Sequence, residues 1–192
     1  MKNKTDIFKD KLLNRSIFAD KFEPLKILSQ DDSDKANVIY MVDAEQLAIN
    51  FDKVKEYYAK LFESTQAPSS VDAILMVKDG LAFVEFKNGE LNNKEKRNIN
   101  FKLRDSLLMF CDIMRCTLKR TRLMVDFVLV YNQEKNPSSK TSSYENIENY
   151  VGNLANERIV RFQLAKYRGI YFRNIYTVSV AEFNEYLKQN VP

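Results

Sequence analysis

Apolar positions along this chain change their spacing from one segment to the next. Leu47, Phe51, Val54, Tyr58 and Leu61 recur at three- and four-residue steps, which predicts a helix, with Asp43 and Gln46 as a capping box at its start. That helix should stop by residues 64–70, where Pro68 disfavours continuation. Residues 71–77 and 81–86 are apolar runs of strand length separated by Lys78-Asp79-Gly80, and an Asp-Gly pair between such runs predicts a hairpin. With Asp79-Gly80 as a two-residue turn, Lys78 faces Leu81, Ile74 faces Glu85 and Asp72 faces Lys87. A long helix is expected over 93–118, with Ile99, Leu103, Leu107, Phe110 and Met114 on its buried stripe. Residues 124–131 are almost continuously apolar, the pattern of a central strand covered on both faces.

The flanks are more polar. One or two helices are expected around 7–18, then a surface loop up to residue 36 and a short strand over 37–42. Residues 132–143 read as a polar loop, 144–167 as a helix weakened at Gly152, and 175–180 as a strand. Ser179 with Glu182 suggests a cap for a last helix through Leu187. Helices alternate with strands and no internal repeat is present, so the expected fold is α/β, a mixed central sheet flanked by helices. The expected organisation is a single domain. It has an N-terminal extension at 1–36, a core at 43–130 and a C-terminal helix-strand-helix at 144–192.

Composition narrows the chemistry. Of 192 residues 45% are hydrophobic and 29% charged, ordinary for a chain that buries a core. No apolar run reaches membrane-spanning length, and the charged start Met1-Lys2-Asn3-Lys4 leads into no apolar signal core, so a cytoplasmic protein without membrane association is expected. Cys111 and Cys116, five apart in what reads as one helix, are expected to be reduced buried thiols. There is no histidine, which removes histidine-based triads, imidazole bases and histidine-ligated zinc. The four glycines, at 80, 89, 152 and 169, form no phosphate-cradling loop. Chemistry is left to carboxylates, lysines, hydroxyls or a bound hard cation.

The predicted hairpin offers such a group. Side chains alternate along a strand, so Asp72, Glu85 and Lys87 project from one sheet face. Two neighbouring carboxylates repel unless a cation joins them. Mg²⁺ (or Mn²⁺) held by Asp72, Glu85 and the backbone carbonyl of Phe86 would do so, with Lys87 placed to stabilise charge during phosphodiester hydrolysis. The other reading is a cross-strand Asp72–Lys87 ion pair with Glu85 solvated nearby.

Asp72, twelve residues, then Glu85-Phe86-Lys87 at the end of the next strand, followed by a long helix, resembles the PD-(D/E)XK nuclease superfamily. The likeness covers 43–130 and is best over 71–89, with Val71 standing where the motif's proline would be. It implies a restriction-endonuclease-like core in which Asp72 and Glu85 bind Mg²⁺ and Lys87 assists the attacking water. Many members add a glutamate from the first helix, for which Glu45, Glu56 and Glu63 are the candidates.

Residues 94–122 hold nine basic and three acidic side chains, a net +6 against +4 for the whole chain. Lys102, Arg104, Arg115, Lys119, Arg120 and Arg122 are the candidate contacts to a nucleic-acid backbone, against the alternative of a solvated helix face. In 158–173, Phe162, Tyr167, Tyr171 and Phe172 alternate with cations, and core packing is the preferred reading over base stacking. Two functions follow: a Mg²⁺-dependent nuclease-like enzyme acting on DNA or RNA, or a non-catalytic binding protein on the same scaffold. The second would bind nucleic acid, or a protein partner as an inhibitor, immunity or phage-defence factor. A homo-oligomeric structural role is a third.

Overall fold

All seven residues of the run Val125–Tyr131 are buried, which only a strand covered on both faces sustains. The computed structural model describes residues 4–137 and 160–192. Among these are eight strands: β1 (Phe22–Pro24), β2 (Gln30–Asp31), β3 (Ile39–Tyr40), β4 (Leu47–Asn50), β5 (Ala73–Val77), β6 (Gly80–Lys87), β7 (Val125–Tyr131) and β8 (Ile175–Ser179). Six form a mixed sheet in the order β1-β4-β5-β6-β7-β8, and β2 pairs with β3 separately. The β1–β4, β4–β5 and β5–β6 pairs are antiparallel, while β6–β7 and β7–β8 are parallel. The α-helices among the described residues are α1 (Lys4–Leu13), α2 (Leu25–Leu28), α3 (Phe51–Leu61), α4 (Asn93–Met114), α5 (Leu118–Met124) and α6 (Val180–Asn190). The fold is α/β, a six-stranded mixed sheet flanked by helices, as the alternation of patterns predicted.

Two apolar layers hold it together. Phe8 and Leu12 of α1, Phe51 and Val54 of α3, and the α4 stripe Ile99, Leu103, Leu107, Phe110 and Met114 cover one sheet face. Leu25 of α2 and Phe183, Tyr186 and Leu187 of α6 cover the other. Strand β6 shows the division residue by residue: Leu81 and Phe83 face α4, while Ala82, Val84 and Phe86 face α6. Phe83 meets Phe110 edge-on at 5.3 Å, seating α4 over the middle of β6. At about 1.5–3 kcal/mol for each fully buried large apolar side chain, the α4 stripe is a dominant source of stability. The capping box Ser179–Glu182 forms at the start of α6.

Several boundaries differ from those the sequence pattern implies. Leu47–Asn50 is not the start of a helix but strand β4, paired with β1 on one side and β5 on the other. The helix begins at Phe51, where the Asn50 side chain accepts from the Lys53 amide, so the Asp43–Gln46 capping box does not form. Ladder bonds to two neighbours outweigh a helical spacing that Leu47 enters only by coincidence; its side chain is exposed. The strand expected over 37–42 is reduced to Ile39–Tyr40. Helix α4 stops at Met114, where Arg115 turns left-handed, so Cys116 lies outside the helix that holds Cys111. Both thiols are free and half-buried. The helix expected over 144–167 lies outside the described residues up to 159; beyond it come turns and a 3-10 turn at Ala165–Tyr167. In that stretch Tyr167 and Phe172 are core residues, with Phe162 and Tyr171 packed on them, in line with the core reading.

The hairpin register also shifts. Val77 opposes Gly80 and Ala73 opposes Val84, which leaves Lys78-Asp79 as the turn. Gly80 has a φ of 149°, and a Cβ there would lie 2.0 Å from the Met124 carbonyl oxygen. The glycine is required by the close approach of α5's last residue, not by the turn centre. Gly80→Ala should therefore destabilise the protein by more than about 1 kcal/mol in urea unfolding, whereas Gly89→Ala, which meets open space, should change it far less.

Candidate functional site

The register correction moves every cross-strand partner by two residues, and an even shift keeps each side chain on its face. Extended one step past Ala73–Val84, Asp72 comes level with Glu85 instead of Lys87. Asp72, Glu85 and Lys87 still share the α4 side of the sheet, as the alternation predicted. The β5–β6 ladder has ended there, and the Phe86 amide donates to Asp72 Oδ2 at 2.7 Å in place of a strand partner.

The cation between the carboxylates is Lys102, from the first half of α4. Its Nζ donates to Glu85 Oε1 at 2.7 Å and to Asp72 Oδ1 at 3.1 Å. Lys87 stands further off, 3.6 Å from Glu85 Oε1, and pairs with Glu95 at 3.2 Å. The ion pair envisaged between Asp72 and Lys87 is thus made by Lys102, and Glu85 is not solvated but fully buried. Its second oxygen, Oε2, has no hydrogen-bond partner.

Helix α4 is fastened over this site by a polar seam. Lys102 reaches Asp72, Ser106 Oγ accepts from the Val71 amide at 2.8 Å, and Asp105 accepts from the Ser69 amide at 3.1 Å. These positions are three and four apart, one helical edge beside the apolar stripe. They hold residues 69–72, and so aim Asp72 at Glu85. The α4 N-terminus is fixed by Asn92, whose side chain accepts from the amides of Lys94 and Glu95.

Burial dominates the electrostatics. It pushes the Glu85 carboxyl up from 4.5 to about 8, with the neighbouring Asp72 charge adding to the shift and Lys102 and Lys87 opposing it. Asp72 is raised as well, by burial first, with Lys102 and the Phe86 amide working against it. For Lys102 burial favours the neutral amine, but Glu85 and Asp72 outweigh it and hold the ammonium above the ordinary lysine range.

Asp72, Lys87 and Lys102 line a cavity of about 530 Å³ walled by the start of β5, the end of β6, the start of α3 and the segment around β2, while Glu85 lies buried behind them. Six more acidic residues line it: Glu23, Asp31, Asp32, Asp52, Glu90 and Glu95, against the two lysines Lys87 and Lys102. Asp52, in the first turn of α3, accepts from Ser70 Oγ at 2.5 Å and pairs with Lys55. None of Glu45, Glu56 and Glu63 lines the cavity; the α3 acid that does is Asp52, brought there because the helix starts later than its apolar spacing implied. Asn88 donates to Asp31 at 2.8 Å and ties the β2 wall to the end of β6.

The remaining candidates are spread out. Arg104 is exposed on α4, stacked over Phe101. Arg115, Lys119, Arg120 and Arg122 lie past the end of α4 and on α5, with Arg115 thirteen residues, or about 20 Å, along the helix from Lys102. Lys102 itself belongs to the carboxylate cluster. Its signal in sequence is a lysine at the margin of an apolar stripe, four residues before Ser106.

No protein-family model, curated protein or solved structure matches this chain. No helix among the described residues is long and apolar enough to cross a membrane.

Removing Lys102 strands two acidic groups, so Lys102→Met should cost about 3–5 kcal/mol in urea unfolding and clearly more than Lys87→Met. Between about 4.5 and 8 the folded chain keeps a Glu85 proton that the unfolded chain releases, so stability should fall as pH rises through this window. The slope is at most about 1.4 kcal/mol per pH unit. Glu85→Gln should remove it, seen as a stability difference from wild type that grows with pH across the window.

Proposed function

We propose that this protein is a metal-dependent nuclease-like enzyme that hydrolyses phosphodiester bonds of nucleic acid at the Asp72–Glu85–Lys102 cluster. The observation that carries the reading is the convergence of Asp72 Oδ1 and Glu85 Oε1 on one positive centre beside a cavity, with Glu85 Oε2 left unpartnered. An oxygen-only donor set of this kind suits Mg²⁺ or Mn²⁺. Asp72 and Glu85 would hold the ion, and the Phe86 carbonyl is the third candidate donor. In an extended strand the N–H and C=O of one residue point the same way, and the Phe86 N–H faces Asp72. Among the described residues no three acidic or cysteine side chains form a ready-made metal cage. Mg²⁺ commonly takes one or two carboxylates and completes its shell with water and substrate phosphate.

When bound, the ion would supply a Lewis-acidic centre that draws charge from a phosphodiester oxygen. The chain's own residues do the rest. Asp72 and Glu85 would hold that centre beside the cavity, and Lys102, displaced from between them, would be the ammonium closest to hand to stabilise developing negative charge. Lys87, bonded to Glu95 at the cavity rim, is the second cation available for that task. The acidic lining attracts cations, and a phosphate would enter only where bound cations offset that negative charge. The resemblance of Asp72…Glu85-Phe86-Lys87 to the PD-(D/E)XK pattern agrees with this assignment, with Lys102 sharing or replacing the role of Lys87.

A second reading has its own observation. Lys102 already bonds both carboxylates, and a self-neutralised cluster needs no metal. The protein would then be a non-catalytic binder of nucleic acid or of a protein partner. Titration with Mn²⁺ and incubation with mixed DNA and RNA substrates separates the two. The enzyme reading expects binding at millimolar Mn²⁺ or tighter and cleavage that Asp72→Asn and Glu85→Gln each reduce at least about a hundredfold. Absence of Mn²⁺ binding in wild type would leave the binding-protein reading standing.

A further inference from the structure

At the end of α4 opposite the carboxylate cluster, a second cavity of about 290 Å³ opens between α1 and the α4–α5 junction. Its lining includes Lys4 and Lys11 from α1, Arg115 from the end of α4, and Arg120 from α5. No carboxylate lines it, and among the described residues none of these four cations is in an ion pair. Several other cations are paired, as Lys53 with Glu23, Lys102 with Asp72 and Glu85, and Arg173 with Asp126. A convergence of like charges from three helices, left without a counter-charge, raises the electrostatic potential of the cavity and favours an anion.

Two local features agree. Arg115 keeps a left-handed backbone, φ 48° and ψ 54°, a conformation that glycine adopts more readily. Arg120 lies over the Phe8 ring, 5.6 Å from its centre, so its head is steered by a buried aromatic. The Cys116 thiol in the same wall is held below its ordinary range, first by the hydrogen bond to Cys111 and then by Lys11 and Arg120.

We infer that this cavity is a phosphate-binding cradle, formed by Lys4, Lys11, Arg115 and Arg120, for a phosphate group of a nucleic-acid strand or of a free phosphate compound. Four donors of this kind recognise tetrahedral oxyanions, arginine through its planar fork and lysine as a point charge. The cradle stands about 20 Å from Lys102 along α4, and the inference does not depend on metal chemistry at the hairpin. Charge along the sequence marks Arg115 and Arg120 as candidate backbone contacts; the two α1 lysines enter only through the tertiary structure.

The test uses the full chain in EDTA at low salt, so that no divalent ion bridges the hairpin carboxylates. One probe is a fluorescein-labelled single-stranded oligonucleotide of about 16 nucleotides, followed by anisotropy; the other is inorganic phosphate, followed by calorimetry. The key variant is Lys4→Gln/Lys11→Gln/Arg115→Gly. Its three sites are exposed, and glycine suits the left-handed position, so its thermal unfolding should match or exceed wild type. The cradle predicts that this variant weakens binding of at least one probe on the order of tenfold and lowers the oligonucleotide's salt slope by about one unit for each phosphate it no longer neutralises. Lys188→Gln, on α6 across the sheet, should leave both unchanged. Loss of oligonucleotide binding alone assigns the cradle to a strand phosphate, and loss of inorganic phosphate binding assigns it to the free anion. The inference is overturned if wild type binds neither probe, or if the folded triple variant binds both as wild type does. Neither result bears on the Mn²⁺ and cleavage assays at the hairpin.

Discussion

The structure turns on a carboxylate buried where a hydrophobic side chain would ordinarily sit. Glu85 continues the row Leu81, Phe83 on the face of β6 that α4 covers, and it is fully shielded from water. Burial holds the proton on Glu85 up to about pH 8, and leaving the Asp72–Glu85 pair there without a polar partner would cost several kcal/mol, comparable with the burial of two or three large apolar side chains. Lys102 offsets that cost only if α4 sits in one register, with its ammonium over Asp72 and Glu85. Apolar ridges tolerate small slides; a lysine bonded to two carboxylates, with Ser106 and Asp105 on backbone amides four and three residues on, does not. The same contacts that satisfy the buried charge therefore fix the longest helix on the sheet.

That arrangement also sets the electrostatics of the cluster. Burial raises both carboxyl groups, Lys102 brings both back toward ionisation and Lys87 does so for Glu85, and one Glu85 oxygen remains without a partner. Helix α4 then separates two regions of opposite sign: a cavity whose charged lining is mostly acidic near its start and a small basic cavity at its end. Neither polarity appears in the chain's net charge of +4.

Much of the fold was legible because single segments carried its signals. The α4 stripe, the all-buried β7 run and the Ser179–Glu182 cap each depend on spacing within a few residues, and each appears as its pattern implies. The Asp72–Glu85–Lys87 face survived a two-residue error in hairpin register because side-chain direction in a strand depends only on parity. Where a segment's state depended on a distant neighbour, the pattern misled. Leu47–Asn50 has helical spacing, yet pairing with β1 and β5 makes it a strand, and the helix start moves to Asn50 with Asp52 turned into the cavity.

By itself, then, the sequence determined the class of fold, the two carboxylates and their common face, because hydrophobic period and strand alternation are local properties of the chain. Only the tertiary structure decided which cation joins them. Lys87 lies two residues from Glu85 and was the natural candidate, but Lys102, seventeen residues away, is the nearer ammonium, at 2.7 Å against 3.6 Å. The reason is reach: α4 packs its apolar stripe onto the sheet and carries Lys102 down onto Glu85, while Lys87, at the strand's end, turns toward Glu95. The hairpin supplies the charges, and the helix laid across it chooses their partner.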